Sequence, residues 1–370
     1  MNTTAIGLGT HDITQHLVEA RRALAAGLRP HTLLYVAAIG TDLTALAAAI
    51  YLDRLSDMRM VFLLIALPIM VIVAASILWR IIQETFLLWR SGYDGSPIKA
   101  LGHMLANDVL APQRLANFVH SCLAISLFMS AFASLKIFLP SLNPFQWDAA
   151  LTEWDRLLHF GMHPYQILQP LLGHHSVSSA LSYGYNMWFT ILFSSWIWVG
   201  AASRDSMFRQ RYLLAFMLTW FFGTNVMGTF FSSVGPAFYG RLLDGPDPFQ
   251  HLMAYLNQAS LVSPIWSLDI QNALWESYVS GEGVVKGISA MPSMHVATCI
   301  LLVLAGFASG RRWLGWLALA YAMIIFLGSI HLAWHYAIDG YAGAAVAVAG
   351  WYLAGRLVRW DRARQGLADA

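Results

Sequence analysis

Long apolar segments, separated by shorter polar ones, make up most of the chain. Eight of them are predicted to cross a membrane as helices, because about 20 mainly apolar residues span the hydrocarbon core. These segments are residues 31–52, 60–79, 116–139, 180–201, 211–232, 295–310, 312–330 and 336–357. The pattern therefore predicts an all-α integral membrane protein with about eight transmembrane helices.

The polar stretches between these segments differ in character. Residues 85–112 mix apolar and charged positions, which favours a segment lying along the membrane interface. Residues 143–170 interleave Trp, Leu and Phe with acids, as amphipathic helices on a membrane surface do. Residues 233–294 are rich in Gly, Pro, Ser and aromatic side chains, and a loop of this length is typical of a lid or a binding surface.

The predicted topology has three parts and places both termini in the cytoplasm. Residues 1–115 form an N-terminal extension with two transmembrane helices and an interfacial segment, residues 116–357 a six-helix core, and residues 358–370 a basic cytoplasmic tail. With this orientation 16 of the 22 Lys and Arg residues lie on the cytoplasmic side. Such an excess is what the positive-inside rule requires.

The composition supports the membrane assignment and excludes several classes of protein. Charged residues make up 11% of the chain and hydrophobic ones 58%, with a mean hydropathy of +0.55. Soluble proteins carry about 25% charged residues, so a soluble enzyme, a disordered chain and a secreted disulfide scaffold are all excluded. The net charge of +2 is too small to indicate nucleic acid as a partner, and the partners expected of a membrane protein are membrane lipids.

Side chains capable of chemistry collect at the predicted extracytoplasmic face. They lie in three short stretches: residues 232–241 at the exit of the fifth span, residues 286–295 at the entry to the sixth, and residues 329–339 at the entry to the eighth. On the predicted topology all three stretches lie at the same membrane depth. We therefore expect one site built from all of them.

His335 and Asp339 are four residues apart, which places them on one face if both lie on a helix. A carboxylate bonded to one ring nitrogen leaves the other nitrogen free to attack or to accept a proton. The pair therefore suits an activated histidine nucleophile. Two alternatives remain: a structural hydrogen bond or proton relay, and a zinc site that adds His331 one turn earlier.

Pro292-Ser293 before an apolar run indicates the start of a helix, where free N–H groups and a positive dipole suit a phosphate. Ser293 adds a hydroxyl group, although ordinary N-capping would use it equally well. Lys286 and Arg241 are the Lys and Arg residues of the loop 233–294, so they are the charges available to an anion there. His295 would lie beside such a phosphate and could protonate a leaving oxygen.

At these motifs the chain resembles the type 2 phosphatidic acid phosphatase superfamily. These integral membrane enzymes have a six-helix core and cleave or transfer lipid phosphate groups without a metal or other cofactor. The resemblance rests on Pro292-Ser293-Met294-His295, similar to Pro-Ser-Gly-His, and on His335 with Asp339 three residues further on. It implies that His335 is the nucleophile, that Asp339 orients it, that His295 is the acid and base, and that Ser293 binds phosphate.

The departures from the family pattern suggest a branch within it. The arginine expected six residues before His335 is Ser329, and Met294 replaces the glycine of the second motif. The first motif has no clean match, and Gly235-Pro236 with Tyr239 and Arg241 stands in its place. This combination is similar to fungal inositol phosphorylceramide synthases, which transfer a phospho-headgroup between lipids.

The sequence thus predicts phosphoryl or phospho-headgroup transfer from a lipid phosphate to water or an alcohol, at an extracytoplasmic site. The predicted catalytic residues are His335, His295 and Asp339. The predicted phosphate-binding residues are Ser293, Lys286, Arg241 and Tyr239. The alternatives are a polytopic transporter, with the acids and histidines as a proton path, and an inactive family member that binds lipid.

Overall fold

A computed structural model of the chain describes residues 10–58, 61–201, 207–281 and 287–366. Within these residues 82% are helical and none lies in a strand, which confirms the predicted all-α class. Six helical segments are long and apolar enough to cross a membrane: Gln15–Tyr51, Ile65–Arg90, Pro112–Leu142, Met207–Phe230, Arg312–His331 and Ala337–Gln365. The protein is therefore a multi-pass integral membrane protein.

The N-terminal helices are α1 (Thr10–Gly27), α2 (Thr32–Tyr51), α3 (Phe62–Arg90) and α4 (Pro97–Met104). A single 3-10 turn joins α1 to α2, so the two form one long apolar segment. The predicted first span covers only the α2 part of that segment. The second span, predicted at 60–79, is longer in the structure because its apolar pattern continues in α3 as far as Arg90.

The next helices are α5 (Pro112–Leu142), α6 (Asp148–Leu158), α7 (Pro164–Leu172), α8 (His175–Asn186) and α9 (Trp188–Gly200). Both α1 and α2 pack along α5, the longest helix of this group. The short amphipathic helices α6 and α7 lie in the stretch where the sequence predicts surface helices. The extension and core proposed for residues 1–115 and 116–357 remain a prediction.

The predicted span 180–201 is divided between α8 and α9, which meet at Met187. Backbone hydrogen bonds run across the junction: Met187 N–H donates to Tyr183 O at 3.0 Å, and Ile191 N–H donates to Met187 O at 3.1 Å. The two helices are therefore almost continuous, although each is too short to cross a membrane alone. This break, and the 15-residue length of the helix at 295–310, explain why six long segments replace the predicted eight.

The third group of helices comprises α10 (Met207–Trp220), α11 (Gly228–Phe230), α12 (Tyr239–Leu242), α13 (Gln250–Ser260) and α14 (Trp266–Ser280). A π-helical turn at residues 221–227 joins α10 to α11. The stretch 233–294, predicted as a long loop, thus contains α12, α13 and α14. The Gly and Pro residues of this stretch indicate turns, and the turns lie between the helices. The sequence pattern therefore did not reveal the helices themselves.

The last three helices are α15 (Met294–Ala308), α16 (Arg312–His331) and α17 (Ala337–Gln365). The α15 helix packs against both α16 and α17, and α10 packs along α17. Because α15 and α17 begin at the end of the bundle where α16 finishes, residues 293–295 and 331–339 are brought together. This end of the bundle carries the candidate site.

Candidate functional site

His335 lies in the turn between α16 and α17. The backbone N–H groups of Trp334 and His335 both donate to Ser329 O, at 2.9 and 3.0 Å, and Ala333 adopts a left-handed conformation with φ +61°. Tyr336 is the N-cap of α17, so His335 precedes the helix. The expectation that His335 and Asp339 share a helical face was therefore wrong in its geometry, because the helix begins after the histidine.

The turn nevertheless brings His335 and Asp339 together. His335 Nδ1 lies 3.3 Å from Asp339 Oδ2, and the same oxygen accepts the Tyr336 N–H at 3.0 Å. Asp339 is fully buried, whereas His335 is 8% exposed. The carboxylate thus both caps α17 and holds one nitrogen of the histidine ring, which leaves Nε2 free for chemistry.

Two buried carboxylates of α6 hold this turn in place, and the sequence analysis did not assign them. Asp155 accepts the N–H groups of Ala337 and Ile338, at 2.8 and 2.9 Å, and so completes the N-terminal cap of α17. Asp148 accepts the Tyr336 hydroxyl at 2.7 Å. Burial raises the pKa of both carboxyl groups, while these hydrogen bonds act in the opposite direction.

Asp148 also connects α6 to the loop that follows α11. It accepts the N–H groups of Val234 and Gly235, each at 2.9 Å. The Ala237 N–H donates to Ala333 O at 2.9 Å, so that loop is also bonded to the turn before His335. The spacing of Asp148 and Asp155, seven residues on an amphipathic helix, was the signal in the sequence that they share an inward face.

Ser293 and His295 lie at the start of α15. Ser293 is the N-cap, its Oγ accepts the Val296 N–H at 3.5 Å, and its own N–H donates to Asp339 O at 2.9 Å. Gly343 of α17 packs directly on the Ser293 carbonyl, where a side chain would collide with it. The beginnings of α15 and α17 are therefore fastened together.

The His295 ring lies between aromatic side chains and His335. Its centroid is 4.6 Å from Tyr185, 4.2 Å from Trp188 and 6.3 Å from His335. The Tyr185 hydroxyl, the Trp188 Nε1 and the Trp334 Nε1 are buried without a hydrogen-bond partner among the described residues. Such groups are rare in folded proteins and are available to a ligand.

The two histidine rings are neighbours at this end of the bundle, with centroids 6.3 Å apart. Because Asp339 holds Nδ1 of His335, the other nitrogen of that ring is available to attack or to exchange a proton. Two neighbouring imidazoles of this kind suit a reaction that needs both a nucleophile and a proton donor.

Sequence comparisons agree with this geometry. A family model described as the PAP2 superfamily matches residues 149–353, more than half of the chain. The chain belongs to the PAP2 superfamily. The superfamily predicted from the two histidine motifs is therefore confirmed, and the match supports a phosphatase-type enzyme that acts on lipid phosphates. It does not single out the inositol phosphorylceramide synthase branch. No curated protein and no solved structure matches the chain.

The predicted phosphate-binding side chains of this PAP2 protein lie in different settings. Arg241 is exposed and held by α14: its guanidinium donates to Asn272 Oδ1 at 3.3 Å and stacks over the Trp275 ring at 5.2 Å. Tyr239 is partly buried, and burial raises the pKa of its hydroxyl, which keeps it a neutral donor. Lys286 lies outside the described residues.

The Tyr239 ring is connected to the turn that carries His335 through one intermediate ring. Its centroid lies 5.7 Å from that of Phe249, which in turn lies 5.7 Å from Tyr336. Tyr239 therefore belongs to the surroundings of His335, whereas the contacts of Arg241 tie it to α14.

His331 is engaged away from the His335–Asp339 pair. Its Nε2 lies 2.8 Å from Ser178 Oγ, and Ser178 Oγ lies 2.9 Å from the Tyr255 hydroxyl. Among the residues that the structure describes, no three His, Cys, Asp or Glu side chains are grouped as metal ligands. The contacts of His331 are those of a residue that fastens α16 to α8.

Lys136, which packs against Gly287, is a further residue that sequence reasoning missed. It lies on α5, six residues before Leu142, and is partly buried. Burial is the largest influence on the pKa of His295, and the charge of Lys136 adds a smaller one. No acidic side chain in the described part of the chain pairs with Lys136. Ser329, at the position of the missing family arginine, is buried and donates to Phe326 O at 2.7 Å. Nothing near Lys136 in the sequence connects it with residues 293–295, so only the fold reveals it.

Proposed function

We propose that this PAP2 protein transfers a phosphoryl group or phospho-headgroup from a membrane lipid through a phosphohistidine intermediate. The proposal rests on one arrangement: His335, which is hydrogen-bonded to Asp339, lies near His295 at one end of the helical bundle. In the first step the free nitrogen of His335 forms a bond to phosphorus, and the bond from phosphorus to the leaving oxygen breaks. His295 gives its proton to that oxygen.

In the second step an acceptor hydroxyl attacks the phosphohistidine. His295 takes the acceptor's proton, the new phosphorus–oxygen bond forms, and the bond to His335 breaks. Water as acceptor makes the protein a phosphatase, whereas a lipid or polyol alcohol makes it a transferase. Asp339 keeps the His335 ring oriented and stabilises its positive charge during both steps.

The substitutions at Ser329 and Met294 favour the transferase. They are similar to the pattern of inositol phosphorylceramide synthases, where the acceptor is an alcohol. The predicted phosphate contacts are the Ser293 hydroxyl and the side chains of Tyr239, Arg241 and Lys286.

The site is proposed to face the periplasm, the cell exterior or the lumen, with both termini in the cytoplasm. The support for this orientation is the excess of Lys and Arg on the opposite side of the predicted topology. The lipid tails remain in the bilayer, and the phosphate reaches the beginnings of α15 and α17. Residues 143–170 and 233–294 surround the headgroup.

The test uses the purified protein in lipid with a panel of phospholipids and polyprenyl diphosphates labelled on phosphorus. Each substrate is incubated with and without alcohols, beside the His335→Ala variant. Free phosphate that depends on His335 would establish a phosphatase, and label in a new lipid only when an alcohol is present would establish a transferase. Absence of both products across the panel would overturn the proposal and direct attention to transport.

A further inference from the structure

The candidate site must bind a phosphate group without the arginine of the family's third motif. The two basic residues that the sequence predicts as phosphate ligands do not replace that arginine in the described structure. Arg241 is held by α14, and Lys286 is outside the described residues. Lys136 is another basic residue, and its Cγ and carbonyl oxygen pack against Gly287, six residues before Ser293. Its charge adds a smaller influence on His295 than burial does.

Gly287 packs closely against Lys136. A Cβ atom at Gly287 would lie 2.9 Å from the Lys136 Cγ and 3.0 Å from its carbonyl oxygen, so only glycine permits this approach. From Gly287 the chain runs directly to Ser293 and His295 at the start of α15. Lys136 thus packs against the segment that builds the proposed phosphate site.

The presence of a lysine on the membrane-spanning helix α5 requires an explanation. Charged side chains inside membrane-spanning helices are costly, about 2.5–3.5 kcal/mol at mid-span on insertion scales, and they mark functional sites by default. A long lysine side chain near a helix end can also extend to the membrane interface without any function. The contact with Gly287 distinguishes Lys136 from such a residue, because it packs Lys136 against the segment that leads to Ser293 and His295.

We propose that Lys136 is the phosphate-binding cation of this site and takes the place of the arginine replaced by Ser329. This inference rests on the proposed phosphoryl transfer. The ammonium group offers three donors and a full positive charge to the phosphoryl oxygens. Its contribution grows as negative charge develops on those oxygens during attack by His335.

The first test compares Lys136→Met, Lys136→Arg and Lys99→Met by steady-state kinetics. Lys99 is exposed on α4 and serves as the matched control. Loss of one donor to a developing oxyanion costs about 100- to 1,000-fold in kcat, so we expect a loss of that size for Lys136→Met. Lys136→Arg should retain a measurable part of the activity, and Lys99→Met all of it. An unchanged kcat in Lys136→Met would overturn the inference.

Phosphate binding separates this inference from the proposed function. In a His335→Asn background, which cannot form phosphohistidine, inorganic phosphate should bind at least tenfold more weakly when Lys136→Met is added. If His335→Asn retains turnover, the proposed function fails. If turnover depends on His335 but Lys136→Met leaves the affinity for phosphate unchanged, only the present inference fails.

A measurement on the unaltered protein avoids any folding defect of the variants. Reductive methylation of the intact protein, read by mass spectrometry, should modify Lys136 more slowly when inorganic phosphate is present. Lys99 should be modified at the same rate in both conditions. Equal modification of Lys136 with and without phosphate would contradict its role in binding.

A second and independent observation concerns the other end of the bundle. A cavity of about 1260 Å³ lies between α3, α5 and α9 and reaches the C-terminal end of α15 at Ala308 and Ser309. From His295 to Ala308 there are 13 residues of α15, or about 20 Å of helix at 1.5 Å per residue. The cavity is therefore separate from the histidine site.

The lining of this cavity combines an apolar interior with a cationic edge. Among the residues that the structure describes, Arg80, Arg114 and Arg311 line it together with one acid, Asp108. Asp108 bonds to Arg80 at 2.7 Å and to Arg114 at 2.9 Å, so it is shared between two of these three arginines. The described part of the edge therefore has a net positive charge, which complements an anionic headgroup.

We infer that this cavity holds an anionic phospholipid, with its phosphate at the arginines and its acyl chains between α3 and α9. Its volume exceeds the roughly 300–1,000 Å³ of ordinary small-molecule pockets, as an occupant with long tails requires. Zwitterionic lipids lack the net charge that matches the three arginines. This site is independent of the proposed phosphoryl transfer.

Native mass spectrometry of the intact protein with added phosphatidylglycerol or phosphatidylcholine tests this inference. We expect retention of phosphatidylglycerol, weaker binding in Arg114→Gln, and stronger binding in Asp108→Asn, which removes the competing carboxylate. Arg364→Gln, on the exposed end of α17, is the matched control. Equal retention of both lipids, or displacement of phosphatidylglycerol by inorganic phosphate alone, would contradict the assignment. Unchanged phosphatidylglycerol retention in both Arg114→Gln and Asp108→Asn would do the same.

Discussion

Substitution of Asp155 should destabilise the protein more than substitution of an ordinary surface acid does, because Asp155 caps the start of α17. The side chain is 3% exposed and accepts two backbone N–H groups at the start of α17. A hydrogen bond to a charged group contributes about 1.5–3 kcal/mol, so Asp155→Ala removes about 3–6 kcal/mol of stabilisation at this helix end. Because His335 and Asp339 flank the same end, activity should fall together with stability.

Asp155→Asn is the more informative change because it preserves the shape of the side chain. One oxygen remains to accept a single N–H, so the loss should be about half, or about 1.5–3 kcal/mol. Burial raises the pKa of the Asp155 carboxyl, which means that the charge is costly to bury. Removing that charge offsets part of the loss and favours the lower end of this range.

The assay is denaturant or thermal unfolding of the purified protein in detergent, with turnover measured on the same samples. Glu153→Gln is the matched control, because Glu153 lies on the same helix and pairs with Arg156 at the surface. An exposed pair of this kind contributes little to stability because solvent screens the two charges. If Asp155→Asn destabilises the protein no more than Glu153→Gln does, the capping argument is refuted.

Four further outcomes follow from the site. His335→Asn should abolish turnover and the acid-labile phosphoenzyme, and survival of either would remove the nucleophile assignment. His295→Ala should slow turnover most for substrates with poor leaving groups, and a substrate with an activated leaving group should partly restore the rate. If the rate is not restored, the proton-donor role of His295 is wrong. Gly343→Ala should force α17 away from Ser293 at a cost of about 1–3 kcal/mol, whereas Gly102→Ala, which meets open space, should be neutral in unfolding experiments. A chelator should leave turnover unchanged, and activity lost and then restored by zinc would instead favour a metal site.

Hydropathy predicted where most helices lie because membrane crossing depends on local composition. It could not predict the break between α8 and α9 at Met187, since an average over the whole segment combines the less apolar α8 with the more apolar α9 and is blind to where the helix breaks. It also treated residues 233–294 as a loop, although α13 and α14 are regular helices. The Gly and Pro residues of this stretch indicated a loop, although they lie mainly at the turns between the helices.

The histidine pair could be predicted because its motifs are local. Ser293 with His295 and His335 with Asp339 are each encoded within five residues, and a membrane topology places both at one face. The supporting residues are different, since Lys136 and Asp155 meet the site only through contacts between distant parts of the chain. Periodicity shows that Asp148 and Asp155 share a face of α6, but not which helix end they meet.

The bonds made by α6 have a consequence for any attempt to reduce the enzyme to a minimal catalytic unit. An engineer who kept the long membrane-crossing helices together with α15 and the turn before α17 would retain both histidines and Asp339 but discard Asp148 and Asp155. The turn before α17 and the loop at residues 233–235 would then lose their common anchor. The family match itself begins at residue 149, inside this helix. The smallest functional fragment of this protein must therefore include a helix that crosses no membrane.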